Sequence, residues 1–367
     1  MRLSRFFALV TLILTVLSTI QVRAARPGEG GVLRAVLAGD HQATIDWQVF
    51  GSFKRLRLLR TVSPITQEDL HRPRYPVVEL IASTAARGEG CDDALAHGIQ
   101  YHYWLEVERN DGTMDYQKTD LDVPNRALPA ELNDLTILID KTHYFLEVRD
   151  HAEMVKRYPV ALGADPVNRK LYQDSSCTPE GVYRVTQLQH EAAYYRAIDI
   201  DYPNSRDRLR FAVGQQLGLI PAGRRIGGQI QIHGDILKEV AVYANWTYGC
   251  IAMRNDDIDE LFSRPELARG VYVFIVGKSL SYEDLESVLS PWTREEILQF
   301  QETLARLSIN PVGSGGTQDN GLLRALGVYQ KLRGLPFTCE LDARTVKSLR
   351  SERTALSPQR QALTSDR

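Results

Sequence analysis

The sequence predicts a multidomain, mainly β protein that ends in a small helical module. With 367 residues, of which 43% are hydrophobic, the chain is too long for one ordinary core, so two or three domains are expected. Apolar and polar residues alternate over much of the chain, as they do in half-buried strands. Helical spacing dominates only from about residue 293 onward.

The first residues, MRLSRFFALVTLILTVLSTIQVRA, predict a secretory signal over residues 1–24. Arg2 and Arg5 precede an apolar run that begins at Phe6, and small residues lead to a cleavage site after Ala24. The run is shorter than the ~20 residues of a spanning helix, which leaves an uncleaved anchor as the alternative. An exported protein of the periplasm or cell envelope is therefore expected.

The formal net charge is -2, and the clustered basic surface that binds phosphate backbones is not evident. Nucleic acid is therefore not expected as a partner.

Residues 37–123 predict an N-terminal β-sandwich. In TIDWQV, residues Ile45, Trp47 and Val49 alternate with polar neighbours, and YHYWLEVE shows the same alternation. A glycine followed after a spacer by Tyr-x-Tyr in a late strand resembles the corner of immunoglobulin-like or fibronectin type III domains.

Residues 133–277 predict a second β-rich domain. LTILIDKTHYFLEVRD reads as two strands around a turn at Lys141, and VYVFIVG reads as a buried strand. Asn255 is expected to cap a helix that carries Ile258 and Leu261. The charged stretch DYPNSRDRLRF is expected to be a solvated loop that could serve as a lid.

Four cysteines, Cys91, Cys177, Cys250 and Cys339, would suggest two disulfides in an exported protein. They are too far apart in the sequence for their pairing to be assigned. No CxxC, HExxH or close Cys/His cluster is present, so a metal site is not expected.

His233 and Cys250 form the central pair of candidate site residues. A nucleophilic cysteine needs a neighbour that accepts its proton, usually a histidine, and backbone N–H groups aimed at the oxyanion. Gly249 allows a substrate to approach the backbone closely. A packed histidine and a disulfide-bonded cysteine are the structural alternative.

The ordered pattern PVALGADP, CTPEGVYRV, IQIHGD and WTYGCIAMRNDD resembles the L,D-transpeptidase (YkuD-like) family of bacterial cell-wall enzymes. The resemblance implies that Cys250 is the nucleophile and His233 the general base. It implies an oxyanion hole formed by the backbone amides of Tyr248, Gly249 and Cys250. Further substrate-binding positions implied by the motifs are Thr178, Glu180, Gly181, Gly234, Thr247 and Arg254.

The resemblance also implies a reaction. Such enzymes cleave the amide after the diamino acid of a peptidoglycan tetrapeptide stem, release D-alanine and hold the stem as a thioester. An amine of a second stem, of an envelope lipoprotein or of a free D-amino acid then resolves the thioester. No cofactor or metal is implied.

Two departures from the family pattern bear on the acceptor. Most relatives carry an arginine where this chain has Ala252, and Arg254 is the nearest candidate to replace it. Relatives usually carry a histidine at the position of Tyr248. Hydrolysis, as an L,D-carboxypeptidase or as an amidase that releases wall-linked lipoprotein, is therefore the alternative within the enzyme class. A wall-binding protein that has lost activity is the alternative outside it.

Residues 293–350 predict three helices, and residues 351–367 a tail. REEILQFQETLARL has helical spacing, and GLPFTCELDARTVKSL joins two further helices through a turn. The segment resembles the small peptidoglycan-binding domain, with Cys339 in place of the usual glycine. A helical hairpin used for dimerisation is the alternative reading; the sequence does not predict an oligomeric state.

Overall fold

The computed structural model describes residues 31–151, 153–235, 242–312 and 315–356. The signal expected at residues 1–24 lies outside the described residues. Residues 357–367 of the expected tail also lie outside them. Within the described ranges, no helix combines the length and the apolar character that crossing a bilayer requires.

Residues 31–123 form seven strands in two antiparallel sheets, here called the two-sheet unit. One sheet has the order β1-β2-β5 and the other the order β4-β3-β6-β7. The strands are β1 (Gly31–Leu37), β2 (Ala43–Val49), β3 (Phe53–Thr61), β4 (Val77–Ser83), β5 (Arg87–Asp92), β6 (Ile99–Arg109) and β7 (Met114–Val123). Because β1 pairs with β2 along its whole length, the unit begins before the expected start at residue 37.

The two sheets share one apolar core. The alternation in β2 is confirmed, since Ile45, Trp47 and Val49 are buried and join side chains of the opposite sheet. In β6 both faces are covered, because Trp104 packs with Leu59 and Leu70 on the side away from that core.

A buried ion pair crosses between the two sheets. Arg60 of β3 donates to Asp92 of β5 at 2.7 Å, and the hydroxyl of Tyr103 donates to the same carboxylate at 2.9 Å. The Arg60 guanidinium also donates to the carbonyl of His143 at 3.0 Å, outside the two-sheet unit. Each polar group is therefore satisfied without water, and the contact fastens the unit to the rest of the chain.

Residues 135–276 build an eight-stranded sheet, here called the central sheet, in the order β10-β9-β8-β15-β11-β12-β13-β14. The strands are β8 (Leu135–Asp140), β9 (Phe145–Asp150), β10 (Glu153–Pro159), β11 (Gly181–Ala192), β12 (Tyr195–Ile200), β13 (Gln231–His233), β14 (Ile251–Ala252) and β15 (Tyr272–Val276). The pairs β8/β15 and β13/β14 are parallel, and the other neighbours are antiparallel.

The stretch expected to be a solvated loop is instead the helix α1 (Ser205–Gln216). Asn204 and Asp207 form a capping box at its start, which satisfies the first free N–H groups. Leu209 and Val213 pack into the core of the C-terminal helices, so α1 links the central sheet to that module rather than forming a lid.

Five further helices complete the fold. They are α2 (Asn255–Phe262), α3 (Tyr282–Leu289), α4 (Arg294–Arg306), α5 (Asn320–Arg333) and α6 (Ala343–Leu356). The helical spacing expected after residue 293 is confirmed, although α6 continues beyond the expected limit at residue 350.

The turn between α5 and α6 is organised around the buried amide of Gln330. Its Nε2 donates to Thr338 at 2.7 Å, to Asp342 at 3.0 Å and to Thr345 at 2.9 Å, and its Oε1 accepts from the backbone of Cys339 at 2.8 Å. Cys339 has a φ of 55°, in the left-handed region that favours glycine. The turn therefore keeps a glycine-like backbone although it carries a side chain.

A second buried ion pair joins Lys141, after β8, to Glu180, before β11, at 2.9 Å. Nζ of Lys141 also donates to the carbonyls of Asn168 and Thr178. The other oxygen of Glu180 accepts from the backbone of Ser279 and Leu280. One ammonium and one carboxylate thus hold four separate chain segments together.

We expect Lys141→Met to lower the free energy of unfolding by about 3–5 kcal/mol, because it leaves the Glu180 carboxylate buried without its cation. Urea denaturation of the full chain measures the change. The control is Lys118→Met, at a partly exposed surface pair with Asp120, for which a loss under about 1 kcal/mol is expected. Equal losses of unfolding free energy in the two variants would contradict a larger contribution from the buried pair.

Candidate active site

The pairing of β13 with β14 brings the two central candidate residues together. The strands are parallel, with Ile232 opposite Ile251 and His233 opposite Ala252. Cys250 directly precedes β14, so the register places the segment that carries it beside the strand that ends at His233. The two motifs therefore lie on neighbouring strands, and the catalytic pairing of His233 with Cys250 stays a prediction.

His233 is held in the form that accepts a proton at Nε2. Its Nδ1 donates to the carbonyl of Gly234 at 2.6 Å, which places the proton of the neutral ring on Nδ1. Burial lowers the pKa of His233 from its usual value, although the Gly234 hydrogen bond and the charge of Asp235 oppose the shift. The imidazole is therefore neutral at neutral pH and available as a base.

Two aromatic rings that the sequence did not point to fix the His233 ring. Tyr194, at the tip of the β11–β12 hairpin, stacks on it with centroids 4.9 Å apart. Trp246 meets it edge-on at 5.6 Å. Tyr194 remains 42% exposed, and Tyr248, two residues before Cys250, is 81% exposed.

Cys250 lies against the backbone of the segment that leads into β13. Its Sγ donates to the carbonyl of Gln229 at 3.5 Å. Burial raises the pKa of the Cys250 thiol, while the backbone N–H of Gln231 and the charge of Lys170 lower it. With its pKa raised overall, the group is a neutral thiol at neutral pH and needs a base to become a nucleophile.

Lys170 is the cation that the fold brings to the cysteine. Its ammonium is buried, with 5% of the residue exposed, and donates to the carbonyl of Tyr248 at 3.2 Å. Burial lowers the pKa of Lys170, and the nearby acidic groups Cys177, Cys250 and Asp174 oppose this shift. Sequence reasoning missed this residue because it lies far upstream of the motif; two adjacent basic residues before CTPEG were the only signal.

Arg254 does not take the place of the arginine that relatives carry. Its guanidinium pairs with Asp257 at 2.6 Å and donates to the carbonyl of Gly98 in the two-sheet unit at 2.7 Å. As the N-cap residue of α2 it faces a domain junction. The expectation that it points to the substrate is corrected on this ground.

The turn before Cys250 is closed by two hydrogen bonds through the Thr247 hydroxyl. Gly249 has a φ of 124°, and a Cβ there would lie 2.4 Å from the carbonyl oxygen of Cys177, so only glycine fits. The N–H of Gly249 donates to Oγ1 of Thr247 at 3.1 Å, and this hydroxyl donates to the carbonyl of Cys250 at 2.7 Å. Thr247 thus shapes the turn and is itself buried.

These hydrogen bonds bear on the expected oxyanion hole, because they involve one of its three backbone amides. The Gly249 amide is engaged by Thr247 and is not available to a substrate in this conformation. Within the described ranges, the amides of Tyr248 and Cys250 have no hydrogen-bond acceptor. The expected oxyanion hole at Tyr248 and Cys250 stays a prediction.

The CTPEG loop supports the site from below. Oγ1 of Thr178 accepts from the N–H of Gly163 at 3.1 Å, and Glu180 is committed to Lys141. Both side chains are fully buried, so direct contact with substrate, as expected from the motif, is corrected to a role in shaping the loop. Gly181 starts β11 directly after them.

The HGD turn is fixed by Asn255. Its Oδ1 accepts from the N–H of Asp235 at 2.8 Å, and a Cβ on Gly234 would lie 2.6 Å from the same oxygen. Asn255 was expected to cap α2; the cap position belongs to Arg254 instead. A side chain at Gly234 would therefore collide with Asn255 beside His233. The expected role of Gly234 in substrate binding stays a prediction.

The two-sheet unit holds the segment between His233 and Cys250 from outside. Asn245 donates from its backbone to the carbonyl of Arg74 at 2.5 Å and from Nδ2 to the carbonyl of Pro73 at 3.2 Å. Ser63 donates to the carbonyl of Tyr243 at 2.5 Å. All four cysteines are free thiols, so no disulfide contributes.

Comparison with known proteins shows what this part of the chain is similar to. Residues 134–273 match the family model of the YkuD L,D-transpeptidase catalytic domain. Over 132 residues the chain is 28% identical to "Putative L,D-transpeptidase YafK" of Escherichia coli K12, which covers 35% of this chain and 44% of that protein. The chain thus spans less than half the length of the curated relative.

Among solved structures, an L,D-transpeptidase from Xylanimonas cellulosilytica is similar to this chain at 15% sequence identity. Its TM-score is 0.27, and the match covers 41% of this chain and 64% of that one. An L,D-transpeptidase from Mycobacterium smegmatis has 14% identity and a TM-score of 0.26 over 69% of this chain and 96% of that one. TM-scores this low do not establish a shared fold.

We expect Lys170→Met to slow alkylation of Cys250 by iodoacetamide about 3- to 10-fold at pH 8, because loss of the neighbouring cation raises the thiol pKa further. In the unchanged protein, the rate should still be rising with pH at pH 9, since burial already raises that pKa. Peptide mass mapping separates Cys250 from Cys91, Cys177 and Cys339. Lys170→Arg, which keeps the charge, is the control, and equal rates in all three proteins would contradict the electrostatic role.

Proposed function

We propose that this chain is a cysteine acyltransferase of the L,D-transpeptidase type that acts on peptidoglycan tetrapeptide stems. The observation that carries the proposal is the parallel pairing of β13, which ends at His233, with β14, which Cys250 directly precedes, together with the commitment of Nδ1 of the histidine to Gly234. A neutral thiol beside a neutral imidazole is the starting state of base-assisted thiol attack.

In the first step, Nε2 of His233 accepts the Sγ proton as sulfur attacks the carbonyl carbon of the amide after the diamino acid. The oxyanion that forms faces the N–H groups of Tyr248 and Cys250. The C–N bond then breaks, His233 returns the proton to the departing amine, and D-alanine leaves. The stem remains on Cys250 as a thioester.

In the second step, an acceptor amine attacks the thioester carbon and gives its proton to His233. The C–S bond breaks, and sulfur leaves as a thiolate that Lys170 stabilises until His233 reprotonates it. The acceptor in this proposal is the amine of a second stem, with an envelope lipoprotein or a free D-amino acid as further candidates. No cofactor enters either step.

Hydrolysis is the second candidate. The exposure of Tyr248 and Tyr194 leaves the face of the thioester accessible to water, and Ala252 offers no charged group to position an acceptor. With water as acceptor, the same residues make an L,D-carboxypeptidase, or an amidase if the donor is a wall-linked lipoprotein.

The other units enter the proposal as supports. We assign residues 31–123 as an immunoglobulin-like sandwich and α4, α5 and α6 as a peptidoglycan-binding-like module, placed with the catalytic unit in the periplasm or cell envelope. The helical module shares a core with α1 of the central unit, which supports a fixed orientation between wall binding and catalysis.

Incubation of the full chain with disaccharide-tetrapeptide, followed by mass spectrometry, tests the proposal. We expect loss of D-alanine and a 3-3 cross-linked dimer, both absent in Cys250→Ala and reduced at least 100-fold in His233→Ala. Cys91→Ala, at an exposed cysteine of the two-sheet unit, is the matched control and should retain full activity.

Tripeptide without dimer would establish hydrolysis in place of transpeptidation. If neither product depends on Cys250, and lipoprotein-linked muropeptides are also unchanged, the enzyme proposal is wrong and the wall-binding alternative replaces it.

A further inference from the structure

A cavity of about 200 Å³ lies between the central sheet and the C-terminal helices. Three arginines line it: Arg169 from the loop before CTPEG, and Arg206 and Arg210 from the first turns of α1. Glu340 faces it from the turn before α6, and Leu280 and Val288 form an apolar wall. The proposed catalytic chemistry uses none of these side chains.

Arg169 is unusual among the buried arginines. It is 7% exposed, and its Nη2 donates to the carbonyl of Glu180. Its Nε and Nη1 are buried without a hydrogen-bond partner. Among the described residues no carboxylate oxygen lies within ion-pair distance of it, whereas Arg60 pairs with Asp92 and Arg210 with Asp207.

The neighbouring carboxylates are already engaged. Asp207 accepts from Arg210 at 2.8 Å and from the hydroxyl of Tyr183 at 3.2 Å. Glu180 is held by Lys141 at 2.9 Å. Glu340 lies within ion-pair distance of Arg206, at 3.6 Å, and of Arg210, at 4.0 Å.

Among the described residues, Arg169 is therefore the arginine of the cavity without a carboxylate partner, whereas Arg206 and Arg210 lie beside Glu340 and Asp207. Burial lowers the pKa of Arg169, and the charge of Arg210 lowers it further. The amino end of α1, capped by Asn204, adds the positive end of a helix dipole to the same wall. A buried guanidinium with free donors destabilises the fold unless a partner completes it, and oxyanions are the partners that guanidinium groups bind best.

We propose that this cavity is a binding site for a compact oxyanion, a carboxylate or phosphate group on a ligand no larger than an amino acid, with Arg169 and Arg206 as its ligating residues. The size follows from the volume, which is below the roughly 300–1,000 Å³ of pockets for drug-sized ligands. The apolar wall accepts a small nonpolar group beside the anion. The site is separate from the proposed catalytic pair and does not depend on its activity.

Isothermal titration calorimetry of the full chain with inorganic phosphate, and separately with acetate and D-alanine, tests the site. We expect saturable binding of at least one probe, weakened at least tenfold by Arg169→Met and by Arg206→Met. Arg208→Met, an exposed position on the same helix, is the matched control and should bind as the unchanged protein does. Binding of phosphate alone or of the carboxylates alone identifies the class of anion.

Thermal unfolding distinguishes a ligand site from a structural arginine. Removing a buried charge that lacks a carboxylate partner should leave the ligand-free Tm of Arg169→Met unchanged or higher, because relief of the desolvation cost offsets the lost hydrogen bond to the Glu180 carbonyl. The rise in Tm with the bound probe should be lost in the same variant. If Arg169→Met proves unstable, Arg206→Met, which does not contact the CTPEG loop, decides the question.

Absence of saturable binding for all three probes would overturn the proposal, as would unchanged affinity in both arginine variants. Since no tetrapeptide is present, this outcome is independent of whether Cys250 is catalytic. Loss of transpeptidation with intact anion binding would leave the site standing.

Discussion

The buried ion pair between Lys141 and Glu180 is the contact on which the candidate site depends. Its ammonium binds the carbonyls of Asn168 and Thr178 as well as the carboxylate, so it joins the segments on either side of Cys177. The first of these segments continues into Lys170, and the second presents the Cys177 carbonyl against Gly249. A pair this deeply buried is stable only when all its hydrogen bonds are made, and here they come from the loops that frame Cys250.

Burial has opposite effects on the two reacting groups, and both favour neutrality. It raises the pKa of Cys250 and lowers that of His233, so neither is charged before a substrate arrives. Charge separation is therefore needed only during attack, when the proton moves from sulfur to His233. Lys170 then lies close to the developing thiolate. The aromatic rings of Tyr194 and Trp246 restrict His233 to one orientation, which suits a base that must receive a proton in a fixed direction.

The two-sheet unit takes part in shaping the site. Its carbonyls at Pro73 and Arg74 bind Asn245, and Oδ1 of Asn245 accepts from the backbone of Leu162 at 3.1 Å in the central unit. One asparagine therefore connects both units directly before Trp246 and the Thr247 turn. A unit that from the sequence alone could be only a spacer provides contacts that hold the active-site segment in place.

Sequence alone determined the features that depend on neighbours in the chain. Alternation predicted β2 and β6, helical spacing predicted α4 and α5, and the motif around Cys250 identified the nucleophile candidate and the need for glycine at position 249. It did not reveal α1, because the buried face of that helix includes Asp207 and Arg210, which neutralise each other and resemble a solvated surface in the sequence. The roles of Lys170, Tyr194 and Asn245 were found only in the tertiary structure. The hydrogen bond from the Gly249 amide to Thr247 and the ion pair of Arg254 with Asp257 were likewise found only there. The physical reason is that pKa shifts, ion pairs and hydrogen-bond competition depend on groups distant in sequence, whose proximity is decided by strand order and loop packing.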